Sequence, residues 1–403
     1  MDTLTQGLLG AATAQLGFRQ KIGRDATWVA AFAGTVPDLD VFIGPLLELS
    51  GAEVTELTHM VHHRGLSHSL LMVPVLALPI ALVWWYFRRK LAQRTARRVS
   101  EQPPPEDNAS HPEAAKAART AAERESSAVK SPSFLLLYAC VFVAVLSHPL
   151  LDWTTSYGTQ LLAPLTRMRF SIDAAPIVDI IYTPLLILTL LTCYIVRKIR
   201  HGKAVRATLV IGWLGVLLST GYLAAGRVMH DIAVDRTMAA GNYGPEDNVD
   251  AYPMIGTIFL WRTVAETPDR WDVRRVHIFD DTPPEQLEVN RARKIERDLW
   301  VQRAEELDET KTFQWFAAGR LRRTHKKVNG HHLIEFHDMR YGSQIDSITS
   351  LWSYRVTLDD RGNALDIERV RHFQRNQGFS GFVGALWEDI WTPTRNGQTQ
   401  QSG

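Results

Sequence analysis

Four long apolar segments in the first 226 residues constrain the fold of this 403-residue chain more than any other feature. They cover residues 70–87, 134–151, 177–196 and 207–225. Three of them contain no Lys, Arg, Asp or Glu, and the third segment contains only Asp179. A helix of this length crosses the hydrocarbon core of a bilayer, and uncharged runs this long are uncommon in the cores of soluble proteins. The sequence therefore predicts four membrane spans.

The segments before, between and after the spans differ from them in length and composition. Residues 2–17 and 26–36 form two apolar helices too short to span comfortably, and we expect the pair to dip into the membrane. Residues 226–240 are amphipathic and are expected to lie along the interface. After residue 241, segments rich in aromatic and β-branched residues predict strands, and the charged stretch 284–307 predicts a helix.

The predicted fold class is therefore mainly α. A polytopic α-helical membrane domain, with about four spans plus short N-terminal helices, carries the candidate site and precedes a soluble α+β domain. A run of three prolines followed by Ala, Glu and Arg is typical of a disordered linker. The predicted units are 1–98 (N-terminal helices, first motifs and first span), 99–133 (cytoplasmic linker), 134–240 (remaining spans and motifs) and 241–403 (soluble domain).

The distribution of charge predicts the orientation. Residues 19–24, 88–98 and 197–206 contain three, six and five basic residues respectively, and no acidic residue. The positive-inside rule places all three stretches in the cytoplasm, so the candidate site and the C-terminal domain are expected to be extracytoplasmic. The charged surface of that domain looks like a solvated face and not a nucleic-acid groove. Both cysteines lie inside apolar spans, so no disulfide framework is expected.

Histidines and aspartates are concentrated at the predicted outer edges of the spans. The segment T-H-M-V-H-H-R-G-L-S-H-S, residues 58–69, holds four of the 14 histidines. Each residue alone has an ordinary explanation, since P-D-x-D is commonly a turn and a histidine at a helix end is commonly solvated. Their coincidence at one membrane edge predicts a divalent metal site, and mixed imidazole and carboxylate ligation suits Zn²⁺, Mn²⁺ or Fe²⁺. The candidate ligands are Asp38, Asp40, His63, His68, His148, Asp152 and Asp179.

Spacing adds detail to this prediction. His63 and His68 would diverge by about 140° on one straight helix, but Gly65 permits a break that turns both toward one point. A carboxylate inside a span, such as Asp179, is costly unless it is paired or binds a metal. The guanidinium of Arg64 suits a bidentate grip on phosphate or carboxylate, and the alternative is pairing with Asp38, Asp40 or lipid headgroups.

Four ordered motifs in about the first 190 residues resemble those of a known family. They are M-D-T-L-T-Q-G-L-L-G-A, A-G-T-V-P-D-L-D, H-R-G-L-S-H-S and H-P-L-L-D-W-T-T-S-Y-G-T-Q-L-L-A-P-L. Their order and spacing resemble the YdjM-like family of membrane-bound proteins described as metal-dependent hydrolases. W-F-A-A-G-R and H-D-M-R-Y-G-S resemble the C-terminal region of longer members.

The resemblance implies an α-helical metal-binding core distantly similar to zinc-dependent phospholipase C, with zinc favoured over manganese or iron. It points to Asp38, Asp40, His63, His68, His148 and Asp152, and it supports Asp179. Many members carry His at the position of Gln6, so the number of metals is left open. The implied location is the bacterial inner membrane.

The leading functional hypothesis is a multi-pass hydrolase of phosphoester or lipid-linked substrates that acts through metal-activated water. Asp40, Arg64 and Asp152 are the candidate catalytic residues, with one carboxylate accepting a proton. A second hypothesis is a non-enzymatic, membrane-anchored interaction or regulatory protein with a structural metal. A transporter is a third, although four spans without an inverted repeat argue against it.

Overall fold

The computed structural model describes residues 1–51, 54–55, 57–101, 132–200, 204–342, 344–372 and 378–393. The described residues up to 240 are mainly helical, and two antiparallel sheets follow. This confirms the predicted fold class. The linker predicted over 99–133 lies mostly outside the described residues.

Nine helices are described in the N-terminal region. They are α1 (Thr3–Ala14), α2 (Phe18–Ile22), α3 (Asp25–Thr35), α4 (Ile43–Leu49), α5 (Thr58–His62), α6 (Met72–Glu101), α7 (Phe134–Trp153), α8 (Tyr182–Arg200) and α9 (Ala204–Ala240). Two 3₁₀ segments, Val36–Phe42 and Leu66–His68, follow α3 and α5. The Asp2 side chain caps α1 by accepting from the Thr5 backbone N–H.

Within the described residues, four helical segments are long and apolar enough to cross a membrane. They are Asp25–Leu49, Phe134–Trp153, Tyr182–Arg200 and Val205–Ala240. A bent pair, Thr58–His68 and Met72–Arg97, is a fifth candidate with a 72° bend. One of these four candidate spans was not predicted as a span from the sequence. The short helix expected over 26–36 continues through the first 3₁₀ segment into α4 and becomes a candidate span, whereas 70–87 lies in the bent pair.

Small residues let α1, α3, α6 and α7 pack closely. A Cβ atom added to Gly34 would lie 2.8 Å from the carbonyl oxygen of Gln6, so the backbones of α1 and α3 nearly touch there. Alanines of α3 and α6 are buried in the same core as Cys140 and Leu137 of α7. Close backbone approach through small residues is typical of membrane helices. The packing fixes the C-terminal end of α3, and therefore Asp38, relative to α1 and α7.

The basic stretches gather at one end of the helices. Arg88 donates to the carbonyl oxygen of Ile22 at 2.8 Å and to Asp25 at 3.1 Å, and Arg197 donates to Gln15 Oε1 at 2.8 Å. The D-x-D motif and the His-rich segment lie at the opposite ends of the same helices. The two sets of residues therefore face opposite sides of the apolar layer.

Helix α9 extends beyond a membrane span. Its 37 residues cover about 55 Å, and a hydrocarbon core is about 30 Å thick. Ala233, in its second half, is buried with Trp261 and Val276 of the first sheet. Residues 226–240 were expected to lie along the interface, but they continue the helix because the sheet covers their apolar face.

The C-terminal domain contains two four-stranded antiparallel sheets, ordered β1-β2-β3-β4 and β5-β6-β7-β8. Their strands are β1 (Asn248–Pro253), β2 (Leu260–Glu266), β3 (Arg270–His277), β4 (Asn290–Arg293), β5 (Leu321–Val328), β6 (His331–Asp338), β7 (Trp352–Leu358) and β8 (Ala364–Arg371). Helices α10 (Leu299–Glu305), α11 (Asp308–Phe316) and α12 (Gly378–Trp391) accompany them. The helix predicted over 284–307 was wrong in part, because residues 290–293 pair with β3 as a strand.

The C-terminal domain packs directly on the His-rich segment. Leu57 and Met60 are buried in one core with Phe313 and Phe316 of α11. Trp315 donates from Nε1 to the carbonyl oxygen of Arg167 at 2.9 Å, which joins the same helix to the loop after α7. The domain therefore lies at the end of the helices that carries the candidate site.

Candidate metal centre

Four side chains from distant parts of the chain converge at one buried point. Asp38, His68, His148 and Asp152 each offer one ligand atom, and these four atoms all lie within 4.8 Å of one another. Asp38 comes from the 3₁₀ segment that Pro37 opens, and His68 from the 3₁₀ segment that follows Gly65. The other two lie four residues apart on α7, where they share one helix face.

Five of the six distances among these atoms are close to the edges of a tetrahedral site. His68 Nε2 lies 2.9 Å from His148 Nε2, 3.4 Å from Asp38 Oδ1 and 3.3 Å from Asp152 Oδ2. His148 Nε2 lies 3.3 Å from the same atom of Asp38 and 3.6 Å from that of Asp152. A tetrahedron with metal–ligand bonds of about 2.0–2.1 Å has edges of about 3.3–3.4 Å. The residues present therefore fit a small divalent cation.

Hydrogen bonds on the far side of each imidazole fix its tautomer. His148 Nδ1 lies 2.6 Å from the carbonyl oxygen of Gly34, which can only accept, so Nδ1 carries the proton. His68 Nδ1 lies 3.0 Å from Ser67 Oγ, and that hydroxyl donates to Asp40 Oδ2 at 2.8 Å. With these tautomers, neutral rings would both present the Nε2 lone pair to one point, 2.9 Å apart, where a cation could bind. A cation between the two removes their repulsion, and such outer contacts are typical of metal-binding histidines.

Asp152 supplies a second observation that fits a cation at this point. Its Oδ2 is buried and has no hydrogen-bond partner among the described residues, although Arg64 Nε lies 3.1 Å away. Its Oδ1 accepts from Gln6 Nε2 at 2.9 Å and contacts the amino group of Met1. A buried carboxylate oxygen without a hydrogen bond is rare in folded proteins. A metal ion at the four-atom cluster would satisfy it.

Asp40 and His63, both predicted as ligands, lie beside the cluster and bond to each other. Asp40 Oδ1 lies 2.8 Å from His63 Nδ1, and its Oδ2 accepts from the backbone N–H of Arg64 at 3.1 Å. The same Oδ2 lies 3.2 Å from His68 Nδ1, so Asp40 orients a candidate ligand. The side chain of His63 is 17% exposed. This places His63 at the rim of the site.

The structure does not bring Asp179 into the cluster. Its Oδ1 accepts from the backbone N–H groups of Ile181 and Tyr182, both at 2.8 Å, and its Oδ2 accepts from the Tyr222 hydroxyl at 2.8 Å. Burial raises the pKa of this carboxyl. We expected a carboxylate at this position to be paired or to bind a metal. Asp179 is paired, and its partners are backbone N–H groups at the start of α8 and a tyrosine of α9.

Arg64 occupies a strained and buried position in the site. Its backbone φ is +57°, which is uncommon for a residue with a side chain. Besides its contact with Asp152, Nη1 donates to Thr155 Oγ1 at 2.6 Å. The guanidinium lies 4.7 Å from the ring centre of Tyr157, whose other contacts include Arg169 at 4.9 Å. The side chain of Arg64 therefore pairs with Asp152, and not with Asp38 or Asp40 as the alternative from the sequence expected.

Three residues that contact the candidate ligands were given no role from the sequence. Thr3 donates from Oγ1 to Asp38 Oδ2 at 2.7 Å, Ser67 bridges Asp40 and His68, and the carbonyl of Gly34 holds His148. Thr3 and Gly34 lie within the quoted family motifs, which was the signal that could have identified them. Every residue has a backbone carbonyl, so residue type alone does not show which carbonyl accepts a hydrogen bond from a histidine.

Two further groups of acidic and histidine side chains could hold a metal, namely Glu335 with His337 and His372, and Asp173 with His230 and Asp250. Arginines already compensate a carboxylate in each. Arg355 donates to Glu335 at 2.7 Å, and Arg320 lies 3.2 Å from Asp250. Burial lowers the pKa of His337 to about 4, so this ring is neutral. We regard the first group as an ion-pair network of the C-terminal domain, and the second as one that joins this domain to α9 and the loop after α7.

The apolar helices and the buried cluster define a class of protein: a multi-pass membrane protein with a candidate divalent metal centre at one end of its helices. Residues 1–229 match the family described as YdjM inner membrane protein. The match covers more than half of the chain, so the protein belongs to this family, as the motifs predicted. No curated protein and no solved structure matches the chain.

Proposed function

We propose that this protein is a membrane-bound, metal-dependent hydrolase of phosphoester bonds, and that its substrates are lipid-linked. The observation that carries the proposal is the convergence of Asp38, His68, His148 and Asp152 around one point, with both imidazoles presenting Nε2. The donor set contains nitrogen and oxygen and no sulfur, which suits Zn²⁺ first and Mn²⁺ or Fe²⁺ as alternatives.

Each neighbouring residue has a role in this proposal. A divalent cation at the cluster supplies Lewis acidity toward a phosphoryl oxygen. Arg64, the buried cation beside Asp152, binds another phosphoryl oxygen. His63 lies at the rim with Nδ1 held by Asp40, so its Nε2 carries a proton to or from the reacting groups. This assigns His63 to proton transfer instead of the metal binding that its sequence position predicted.

Replacing Arg64 by glutamine is expected to lower kcat/KM on a responsive phosphoester by about 10²–10³-fold, because one charged donor to the transition state is lost. The measurement is turnover of a panel of water-soluble and lipid-linked phosphoesters by purified protein with added metal. Metal content should stay unchanged in this variant, since Arg64 is not a ligand. Equal turnover by wild type and Arg64→Gln, or no turnover of any substrate in the panel, would count against the proposal.

A structural metal is the second candidate function. The observation that favours it is that four protein atoms, enough for a four-coordinate site, already gather at one point. In that case the membrane region anchors and displays the C-terminal domain, and the metal acts as a staple. Chelation should then unfold the protein, whereas a catalytic metal leaves a folded and inactive protein when it is removed.

We also propose that the candidate site and the C-terminal domain are extracytoplasmic, because the basic stretches gather at the opposite end of the helices. A reporter fused after Gly403 should be active only in its extracytoplasmic form. A reporter inserted at Asn108 should be active only in its cytoplasmic form. The reverse pattern would overturn this orientation without affecting the metal site.

A further inference from the structure

A large trench runs along the membrane region outside the metal centre. It has a volume of about 1240 Å³ and lies between α1, α3 and α8. Most pockets for small molecules have volumes of about 300–1,000 Å³. The floor includes Leu8 and Ala11 of α1, and the walls include Trp28 of α3 and Leu191 of α8. Each wall belongs to a candidate membrane span, so the trench opens toward the bilayer.

The shape and lining of the trench suit an alkyl chain. Leu4, Trp28 and Phe32 line it and are exposed, as expected of side chains that face lipid. Helix α1 has 12 residues and is therefore about 18 Å long, close to half of a hydrocarbon core of about 30 Å. A trench of this length accommodates the acyl chain of a lipid in one leaflet.

All of the charge on the described lining is positive. Arg19, Arg24, Arg197 and Lys198 line the trench, and no carboxylate does. They gather where α1 has ended, α3 begins and α8 is about to end. This is the end away from the metal centre. Four cations around the mouth of an apolar trench require an anion, which a phosphate headgroup supplies.

Among the described residues, the bonds of Arg19, Arg197 and Lys198 are not made to a carboxylate, and the nearby Asp25 pairs with Arg88. Arg19 donates to the Thr27 hydroxyl at 2.8 Å, Arg197 to the amide oxygen of Gln15, and Lys198 lies over the ring of Tyr194. Each of these partners is neutral. Burial lowers the pKa of Arg19, and the nearby charge of Arg24 lowers it further. The basic mouth therefore gains from binding an anion.

We propose that this trench binds one anionic phospholipid from the leaflet at the basic end. Its phosphate lies between Arg24, Arg197 and Lys198, and one acyl chain lies along Leu8, Ala11 and Leu191. The opposite end of the trench includes Thr3, which donates to Asp38 of the metal centre. A bound lipid therefore supports the helix pair that positions a metal ligand, and this proposal does not depend on any hydrolytic activity.

Native mass spectrometry of the full-length protein tests the proposal. The protein is released from detergent micelles that contain phosphatidylglycerol or phosphatidylcholine with identical acyl chains. We expect wild type to retain one phosphatidylglycerol and to prefer it over phosphatidylcholine. The double variant Arg24→Gln/Lys198→Gln should lower this retention by at least about tenfold. Ala31→Phe, which places a ring in the trench without changing charge, should lower it similarly.

The matched control is Arg89→Gln/Lys90→Gln on α6, which removes the same charge from a basic stretch that does not line the trench. It should retain the lipid, and all variants should keep the metal content of wild type. Equal loss in this control would show diffuse surface attraction and overturn the proposal. Equal retention of phosphatidylcholine, or a dimer in which a second copy covers the trench, would also overturn it.

Discussion

Replacing His148 by alanine is expected to reduce bound metal from about one ion per chain to less than about a tenth of that. His148 Nε2 is the closest of the cluster atoms to His68 Nε2, at 2.9 Å. The remaining residues would leave two carboxylates and one imidazole in a widened cavity. The measurement is elemental analysis of full-length protein purified without chelator, alongside a size-exclusion profile that reports folding.

His62→Ala is the matched control, because His62 is exposed and lies in the same His-rich segment. It should keep the full metal content. His63→Ala distinguishes the prediction from the structure from the prediction from the sequence. In the structure His63 bonds to Asp40, so this variant should retain the metal. The sequence motif predicts instead that the metal is lost. Equal metal content in His148→Ala and His62→Ala would contradict the proposed site.

Replacing Arg340 by leucine is expected to lower the free energy of unfolding by about 3–5 kcal/mol, since it leaves the buried Asp338 carboxylate unpaired. Arg340 donates to Asp338 at 3.0 and 2.8 Å, to the carbonyl oxygen of Ser156 at 3.0 Å and to that of Phe316 at 2.9 Å. The charge of Asp338 raises the pKa of Arg340. One guanidinium thus joins the C-terminal domain to the loop that follows the α7 ligands.

Denaturant unfolding of the full-length protein, followed by tryptophan fluorescence, measures this loss. Arg361→Leu is the control at an exposed position and should change the free energy by less than about 0.5 kcal/mol. The double variant Asp338→Leu/Arg340→Leu should recover part of the loss, because no buried charge remains without a partner. If Arg340→Leu were as stable as Arg361→Leu, the domain would not depend on this contact.

Much of the candidate site could be predicted because burying histidine and aspartate side chains at the end of an apolar helix costs free energy unless they are paired or bind an ion. Asp38, His68, His148 and Asp152 were all identified from residue type and position at the ends of apolar segments. The sequence could not separate ligands from their supports. Asp40 differs from Asp38 only in which way the 3₁₀ segment after Pro37 turns each carboxylate, and that direction is set by packing against α1 and α7.

Long-range partners explain the other differences. The oxygens of Asp179 are satisfied partly by Tyr222, which is 43 residues away. Helix α9 continues past its apolar segment because the first sheet buries Ala233. Strand β5 reads L-R-R-T-H-K-K-V, which has little strand propensity, and it is extended because it pairs with β6 along its whole length. Composition predicted three of the four candidate spans, but these contacts depend on tertiary structure.

X-ray absorption at the metal edge of the purified wild-type protein tests the central claim most directly. The account predicts about one divalent ion per chain, with four nitrogen or oxygen neighbours at about 2.0–2.1 Å, the multiple-scattering pattern of two imidazoles and no sulfur. A well-folded wild-type protein without metal would contradict it. So would a metal bound through sulfur, since both cysteines, Cys140 and Cys193, lie in apolar helices away from the cluster.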